Sequence, residues 1–598
     1  MLEGYNRMIG LLDSAQKRRG MLAICMMFVT GALDLAGVAS ILPFLAVLGN
    51  PDVIQTQPLL SSTYNALGYT DSAAFLRFLG VVVFVMVLTS IAVRALTFYL
   101  MVRFSRGVVL TLANRMLAHY LSQSYEWFLG RHSADLSKTV LAEVNQVVSH
   151  SISPAMRLIA NAIVAILLLG LLLWLEPVGA VMTAFIIGGL FGATYAFLRK
   201  RLLAIGQDRK LAVRERFQIT QEALGGIKEV KLLGLEQSYE DRFLGPSRRL
   251  ARHQASLALV GEMPRYVMEA LAFGGILLFI LWVLWSNNGA LEAVLPTIGA
   301  FAFAGLKLMP TLQGLFRDIA QIRFGRAALD ELYDELQSAH AGDRRTGPRV
   351  APMGLDREIR LEAVSYQYPG SDRTAIQDLS LSIPAKTSCG FVGSTGAGKT
   401  TVIDILLGLL RPSDGALLVD GVEITRDNMD AWQNTIGYVP QTIYLTDDTI
   451  AGNIAFGVPA DEVDRKIVAK VGKLAKLDEF VDKLPDGYDS VIGESGVRLS
   501  GGQRQRIGIA RALYRDPAVI VFDEAMSALD TVTERAVLEA IDALQGEKTI
   551  LTITHRLSTI IHCDQIYMMK DGQVVGHGSY DELIDQNSGF RALAEAAE

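Results

Sequence analysis

Cysteine is scarce: 598 residues contain three, Cys25, Cys389 and Cys563, far apart in the chain. They offer neither metal-ligand spacing nor a disulfide framework, which excludes a disulfide-stapled module and points to a reducing compartment. Charge is thin as well, at 20% of residues, against 51% hydrophobic residues and a mean hydropathy of +0.30. That balance excludes a disordered chain and is high for a soluble protein of this length. Lys and Arg are missing altogether from Pro51–Ala74, from the turn at Glu176 and from Ser286–Gly289.

The charge that is present is unevenly placed. Residues 1–350 carry 33 Lys+Arg against 25 Asp+Glu, a net +8, while residues 351–598 carry 23 against 37, a net −14. The basic half holds runs long enough to cross a bilayer, which takes about 20 residues. They lie at 21–48, 78–101, 158–175, 178–198, 267–285 and 291–312. Leu158–Leu198 is the clearest, with Glu176 as its one charge and Pro177 marking a tight turn between two helices. The first run is too long for a signal peptide and has no small-residue cleavage site.

Basic segments (Arg7 to Arg19, Arg103 to Lys138, Arg199 to Arg216) alternate with the Lys/Arg-free ones at every crossing. The positive-inside rule then puts both chain ends, and the acidic half, in the cytosol. The connections 102–157 and 199–265 are rich in helix formers and are expected to carry the spans onward as cytosolic helices. Ala339–Pro352 is polar, with Gly342, Gly347, Pro348 and Pro352, and reads as a linker. The expected organisation is therefore a transmembrane domain over 1–338, a linker over 339–352 and a second domain over 353–598.

The acidic half contains a phosphate site. Ser388–Val392 predicts a short buried strand that runs into Gly393, Ser394, Thr395, Gly396, Ala397, Gly398, Lys399, Thr400 and Thr401, then an apolar helical pattern. Strand, glycine loop, helix is the context of a P-loop. The glycines let backbone N–H groups close around phosphate oxygens, and the helix N-terminus adds positive dipole. Lys399 is expected to reach the β/γ-phosphates of ATP and Thr400 to ligate Mg²⁺. A second buried strand, Val519–Asp523, ends in two carboxylates. Asp523 suits the Mg²⁺ site, and Glu524 suits the base that polarises the attacking water.

Leu499, Ser500, Gly501, Gly502 and Gln503 stand twenty residues before these carboxylates. With them the chain resembles the ATP-binding cassette (ABC) transporters over nearly its whole length. The resemblance implies a membrane α-helical domain of six spans, the ABC exporter fold with long cytoplasmic helix extensions, fused to an α/β P-loop nucleotide-binding domain. It implies that this signature segment, with Asp530, completes the ATP site of an opposite subunit. Tyr368 matches the aromatic that stacks on adenine, with Tyr366 the alternative. Gln441 matches the glutamine that senses Mg²⁺ and the membrane domain, and His555 the switch histidine that contacts the γ-phosphate. Met526 stands where many relatives have Thr. Val491–Gly496 resembles a segment found in exporters and absent from importers. Six spans with one cassette make half a transporter, so a dimer is required, and intact motifs favour a homodimer. Tyr125–Ser133 and Leu233–Asp241 are the segments expected to dock on cassettes.

Charges inside spans are costly, about 2.5–3.5 kcal/mol each on insertion scales. Arg94, Arg265 and Lys307 stand at similar depth, about 20–30 Å below the outer helix ends at 1.5 Å per residue. Together they suit a phosphate or pyrophosphate head group; the alternative is snorkelling or internal pairing, since Arg265 stands four residues before Glu269, and Asp34 is a candidate partner for one of the three. The membrane half resembles the lipid-linked oligosaccharide flippases (PglK type) through Gly31–Phe44, Arg103–Gly107, Tyr125-Glu-x-Phe128, Met263–Arg265 and Leu308–Pro310. In that family, Arg at the positions of Arg94 and Arg265 faces the cavity for the lipid pyrophosphate; the third position is Lys307 here. Gln57–Tyr69 is expected to form a short helix on the outer surface.

The expected function is a homodimeric, ATP- and Mg²⁺-dependent exporter of the bacterial inner membrane. It would flip a polyprenyl-pyrophosphate-linked oligosaccharide from the cytoplasmic to the outer leaflet. The rivals are an exporter of drugs or other lipids of lipid A type, and a non-transporting ATP-gated channel or regulator.

Overall fold

The structure is a computed structural model that describes residues 2–175, 177–286, 295–337, 350–493, 496–524, 539, 544–554, 556 and 559–595. On the helices between 178 and 203 and between 261 and 302 it describes only some of the side chains. The chain divides into two compact units, 1–121 with 131–342, and 122–130 with 343–598.

The first unit is built on six long helices: Ser14–Gly49, Ser72–Leu121, Ser153–Leu175, Pro177–Gly225, Glu236–Ser286 and Leu295–Gln337. Without water, only internal hydrogen bonding satisfies a peptide group in hydrocarbon, so these apolar runs become helices. Ser72–Leu121 has 50 residues, about 75 Å at 1.5 Å per residue, more than twice the roughly 30 Å hydrocarbon layer. The spans therefore do continue as helices beyond the bilayer. Three helical stretches among the described residues are apolar and long enough to cross: Ser14–Gly49, Ser72–Leu121 and Ser133–Leu175. The expected spans over 178–198, 267–285 and 291–312 fall on the remaining long helices, where many side chains, and residues 287–294, lie outside the described residues. So do Glu176 and most of the expected linker.

Local chemistry sets the helix ends. Asp13 accepts from the Gln16 amide at 2.7 Å while the Gln16 side chain accepts from the Asp13 amide at 3.1 Å, a capping box that starts the first long helix. A short helix is present within Gln57–Tyr69, as Pro58–Ala66, with Leu60 buried and Leu59 exposed. Beyond the apolar core of Val38, Val164, Leu168, Leu172, Ala304 and Leu308, the cytosolic extensions are tied by ion pairs. Arg157 donates to Asp318 at 2.9 Å, Lys210 meets Glu331 at 2.8 Å and Arg131 meets Glu335 at 2.7 Å. Where Pro177–Gly225 crosses Leu295–Gln337, the backbones nearly touch: a Cβ on Gly206 would lie 2.4 Å from the Phe324 carbonyl oxygen.

The second unit holds two sheets. A four-stranded antiparallel sheet runs β2-β1-β4-β5, with β1 Glu358–Gln367, β2 Thr374–Pro384, β4 Asp414–Val419 and β5 Val422–Glu423. A six-stranded sheet runs β10-β9-β3-β8-β7-β6, with β3 Ser388–Val392, β6 Ile436–Val439, β7 Val519–Asp523, β8 Thr549–Ile553, β9 Gln565–Lys570 and β10 Gln573–Gly578. Its strands are parallel apart from β10. All five residues of β3 and of β8 are buried, the continuous apolar reading of a parallel sheet covered on both faces. The helix Lys399–Leu406 packs between the sheets, and Trp432, 1% exposed, donates to the Leu406 carbonyl at 2.8 Å.

Gly206→Val is expected to force the two crossing helices apart and to cost about 1–3 kcal/mol. Thermal unfolding of the detergent-purified protein checks this against Gly189→Val, where an added Cβ meets nothing within 4 Å; equal midpoints would refute it.

Candidate functional site

Parallel pairing brings the ends of β3, β8 and β7 level, because Phe391 and Asp523 both lie opposite Ile553. Loops leaving those ends therefore start from one sheet edge, the usual ligand position of an open α/β sheet. Gly393 sits at φ +153 with the Met569 carbonyl so close that a Cβ would come within 2.3 Å, and Gly398 caps the following helix at φ +98. No other residue tolerates both conditions. Ser394, Thr395 and Gly396 are exposed, Ala397 is buried, and Thr400 is exposed on the first turn of the helix. Lys399 is 6% exposed; its ammonium donates to the carbonyls of Gly393 at 2.8 Å and Ser394 at 3.1 Å. Burial lowers its proton affinity, while Glu524 and Asp523 oppose the shift. A cation curled inside its own loop and held by neutral oxygens would gain by exchanging them for an anion's.

The carboxylates of Asp523 and Glu524 lie close enough to the loop to act on Lys399. Tyr438 donates to Asp523 at 3.2 Å, and the Gln441 side-chain amide donates to Glu524 at 2.6 Å. Glu524 takes φ +47, a backbone region that costs a non-glycine residue strain and recurs at functional sites. Asp404, on the P-loop helix, is the third acid. Burial, with Asp523 nearby, pushes its carboxyl up to about 6; burial and Glu524 also raise that of Asp523. Carboxylates so crowded favour a bound cation, and the set Thr400, Gln441 and Asp523 suits Mg²⁺, which neutralises charge on phosphate oxygens. Tyr438 and Asp404 escaped sequence reasoning; Tyr438 stands three residues before Gln441, a spacing that offered the one hint.

Tyr368 is half-exposed, and its hydroxyl pairs with that of Thr401 at 3.0 Å; Tyr366 is 2% exposed beneath it, ring edge to face at 5.0 Å and 88°. The free ring face therefore belongs to Tyr368. In the signature segment, Ser500 and Gln503 form a capping box: Ser500 N donates to Gln503 Oε1 at 2.8 Å, and Gln503 N donates to Ser500 Oγ at 3.2 Å. This S-x-x-Q spacing was readable from sequence. The cap organises the N-terminus of Gly501–Leu513 around Gly501 and Gly502, while Leu499 packs against the core beside it. Asp530, Met526 and His555 lie outside the described residues, as do Glu494 and Ser495 of the exporter-type segment.

In the membrane unit, Arg94 and Lys307 converge on Asp34. Arg94 donates to one carboxylate oxygen; Lys307 donates to the other at 3.0 Å, joined by Ser90 at 2.5 Å. Asp34 is fully enclosed, whereas Arg94 keeps 48% and Lys307 27% of its side chain exposed. The expectation of one partner cation for Asp34 is thus corrected to two, because helices from three parts of the chain meet at this depth. Arg265 lies on Glu236–Ser286, with its side chain outside the described residues.

Residues 376–527 match the family described as ABC transporter, and residues 22–286 match the ABC transporter transmembrane region. An ATP-dependent lipid A-core flippase of Burkholderia orbicola is 31% identical over 491 residues, spanning 81% of each chain. The chain belongs to the ABC transporters. It is an exporter half-transporter, a membrane protein with a cytoplasmic nucleotide-binding domain, and it couples hydrolysis of ATP, with Mg²⁺, to transport. An ATP-dependent lipid A-core flippase of Escherichia coli (strain UTI89) is 29% identical over 537 residues and 90% of each chain. A bacterial Atm1-family ABC exporter with ATP bound shares the fold of this exporter, at 23% identity and a TM-score of 0.78, over 98% of this chain and 99% of that one.

Asp404 yields a pH test. Its carboxyl is raised from 3.8 to about 6 in the folded state, so its contribution to stability is complete below 3.8 and is lost as pH rises through 6. Asp404→Asn is therefore expected to raise the nucleotide-free unfolding midpoint by a few degrees at pH 7.5 and by little at pH 4.5. Differential scanning in detergent at the two pH values measures it; an equal shift at both refutes the assignment.

Proposed function

We propose that this exporter is a flippase for a lipid whose head group carries phosphate, working as a homodimer in the bacterial inner membrane. The observation that carries the reading is the Arg94–Asp34–Lys307 cluster: two cations whose side chains stay partly exposed, sharing one enclosed carboxylate. The group holds a net positive charge in a low-dielectric setting, where a multivalent anion gains most. Arg94 supplies a planar fork for two phosphate oxygens and Lys307 a point charge; Arg265 is the third cation.

For the cargo we favour a polyprenyl-pyrophosphate-linked oligosaccharide moved from the cytoplasmic to the outer leaflet. Support comes from the membrane-half stretches named above and from the cation placement. The second reading, a lipid A-type glycolipid, draws support from the relatives named lipid A-core flippase. Both cargoes present phosphate to the same cations.

In the cassette we assign Tyr368 to adenine, the loop Gly393–Thr401 with Lys399 to the phosphates, and Thr400, Gln441 and Asp523 to Mg²⁺. Glu524 is the base, with Gln441 and His555 beside the reacting phosphate. Leu499–Gln503 and Asp530 complete the site of the second copy. Support for the dimer includes an apolar knuckle in the second cytosolic loop: Leu232 is 85% and Leu233 66% exposed, around Gly234 at φ +64.

Reconstitution into proteoliposomes with each lipid separates the readings. Glu524→Gln is expected to lower ATP turnover and flipping together by about 100-fold or more. Arg94→Ala and Lys307→Ala are expected to cut flipping at least about tenfold, the loss of one charge-assisted hydrogen bond, with ATP hydrolysis largely retained. Undiminished flipping of a phosphate-bearing lipid by the doubly substituted protein would refute the head-group role. Selective movement of one lipid decides the cargo.

A further inference from the structure

The short helix Tyr125–Leu129 links two long helices of the membrane unit, yet it belongs to the compact unit of the cassette. Its tie is specific. Tyr366, on β1, donates its hydroxyl to the Glu126 carboxylate at 3.0 Å. Burial, with Glu126 beside it, pushes the Tyr366 hydroxyl far above the ordinary phenol range, so it remains a donor at every working pH. The Tyr366 ring is almost fully buried and meets Tyr368 edge to face at 5.0 Å. Tyr368 in turn holds Thr401, on the P-loop helix, at 3.0 Å. Burial, with Asp404 and Tyr368 as its electrostatic neighbours, also raises the Tyr125 hydroxyl.

We propose that Glu126 and Tyr366 are a positioning pair through which the loop between the membrane helices sets the Tyr368 ring, and so the affinity for ATP. The inference rests on the assignment of Tyr368 to adenine. Two features single the pair out. The bond joins a loop residue to a strand residue 240 positions away, so it forms only when that helix is seated. Tyr366 also has one rigid ring between its hydroxyl and Tyr368, so a shift of Glu126 is passed on as a tilt rather than absorbed by a flexible stem. Coupling of this kind is reciprocal in free energy: a loop that improves ATP binding is itself held more firmly by ATP.

The test uses the full-length protein in proteoliposomes. Glu126→Ala and Tyr366→Phe are each expected to raise KM for ATP about five- to tenfold, the worth of one hydrogen bond, with kcat at saturating ATP unchanged in Glu126→Ala. The double variant is expected to show no further rise, and Glu126→Gln, which keeps an acceptor oxygen, to behave as the unsubstituted protein. Hydrogen exchange over residues 122–130 is expected to slow on adding ATP in the unsubstituted protein and in Glu126→Gln, and to lose that response in Glu126→Ala and Tyr366→Phe. Additive effects of the two substitutions, or an ATP response that survives both, would overturn the pairing. Tyr368→Ala separates the two levels. An unchanged KM there overturns the adenine assignment, and the pairing with it; a raised KM there with a normal Glu126→Ala overturns the pairing alone.

Discussion

A hydrocarbon layer contains no water to solvate a peptide group or a charge, and the membrane half of this exporter follows from that one constraint. Backbone groups must bond within their own segment, so the apolar runs are helices. A charge must be paired, or reach a wetter region along its own stem. Asp34 shows the rule at its strictest. It is fully enclosed, with both oxygens occupied by Arg94, Lys307 and Ser90. The two cations, by contrast, remain partly open. An enclosed carboxylate with open cations is the arrangement that keeps like charges adjacent without neutralising them.

The cassette answers a different constraint. Its ligand is polyanionic, so the fold must gather positive dipoles and cations on one side and limit carboxylates to the few that a metal can use. The parallel register of β3, β8 and β7 does the gathering, since it brings the glycine loop and the Asp523–Glu524 pair to the same sheet edge. The cost is visible in the acids themselves: Asp404 is pushed up to about 6, and Glu524 occupies a strained backbone region. Tyr438 and Gln441, each donating to one carboxylate, hold that crowd in order.

The two halves of the chain also differ in how much of them could be read in one dimension. The P-loop and the signature segment are local: strand, turn and cap lie within about a dozen residues, and each residue type has a reason at its own position. The six apolar runs and the basic segments between them are equally local, so the expected span number and orientation could be read from composition alone. Long-range pairings were another matter. Arg94 is 60 and Lys307 273 positions from Asp34, and Tyr438 is 85 from Asp523. A charge inside a span stands out in its own window, but the window does not say which charge it meets, and Tyr438 reads there as an ordinary strand tyrosine.

The sequence alone therefore determined the class of protein, the nucleotide chemistry and the places where charge enters the bilayer. These depend on residue type and spacing over one or two turns, where local geometry is nearly fixed. Tertiary structure decided which charges meet, which tyrosine offers a free face and which loop helix sits with the cassette. Those outcomes depend on how separate helices and strands pack. Packing is set by many weak contacts summed over distant segments, and no single window of sequence contains them.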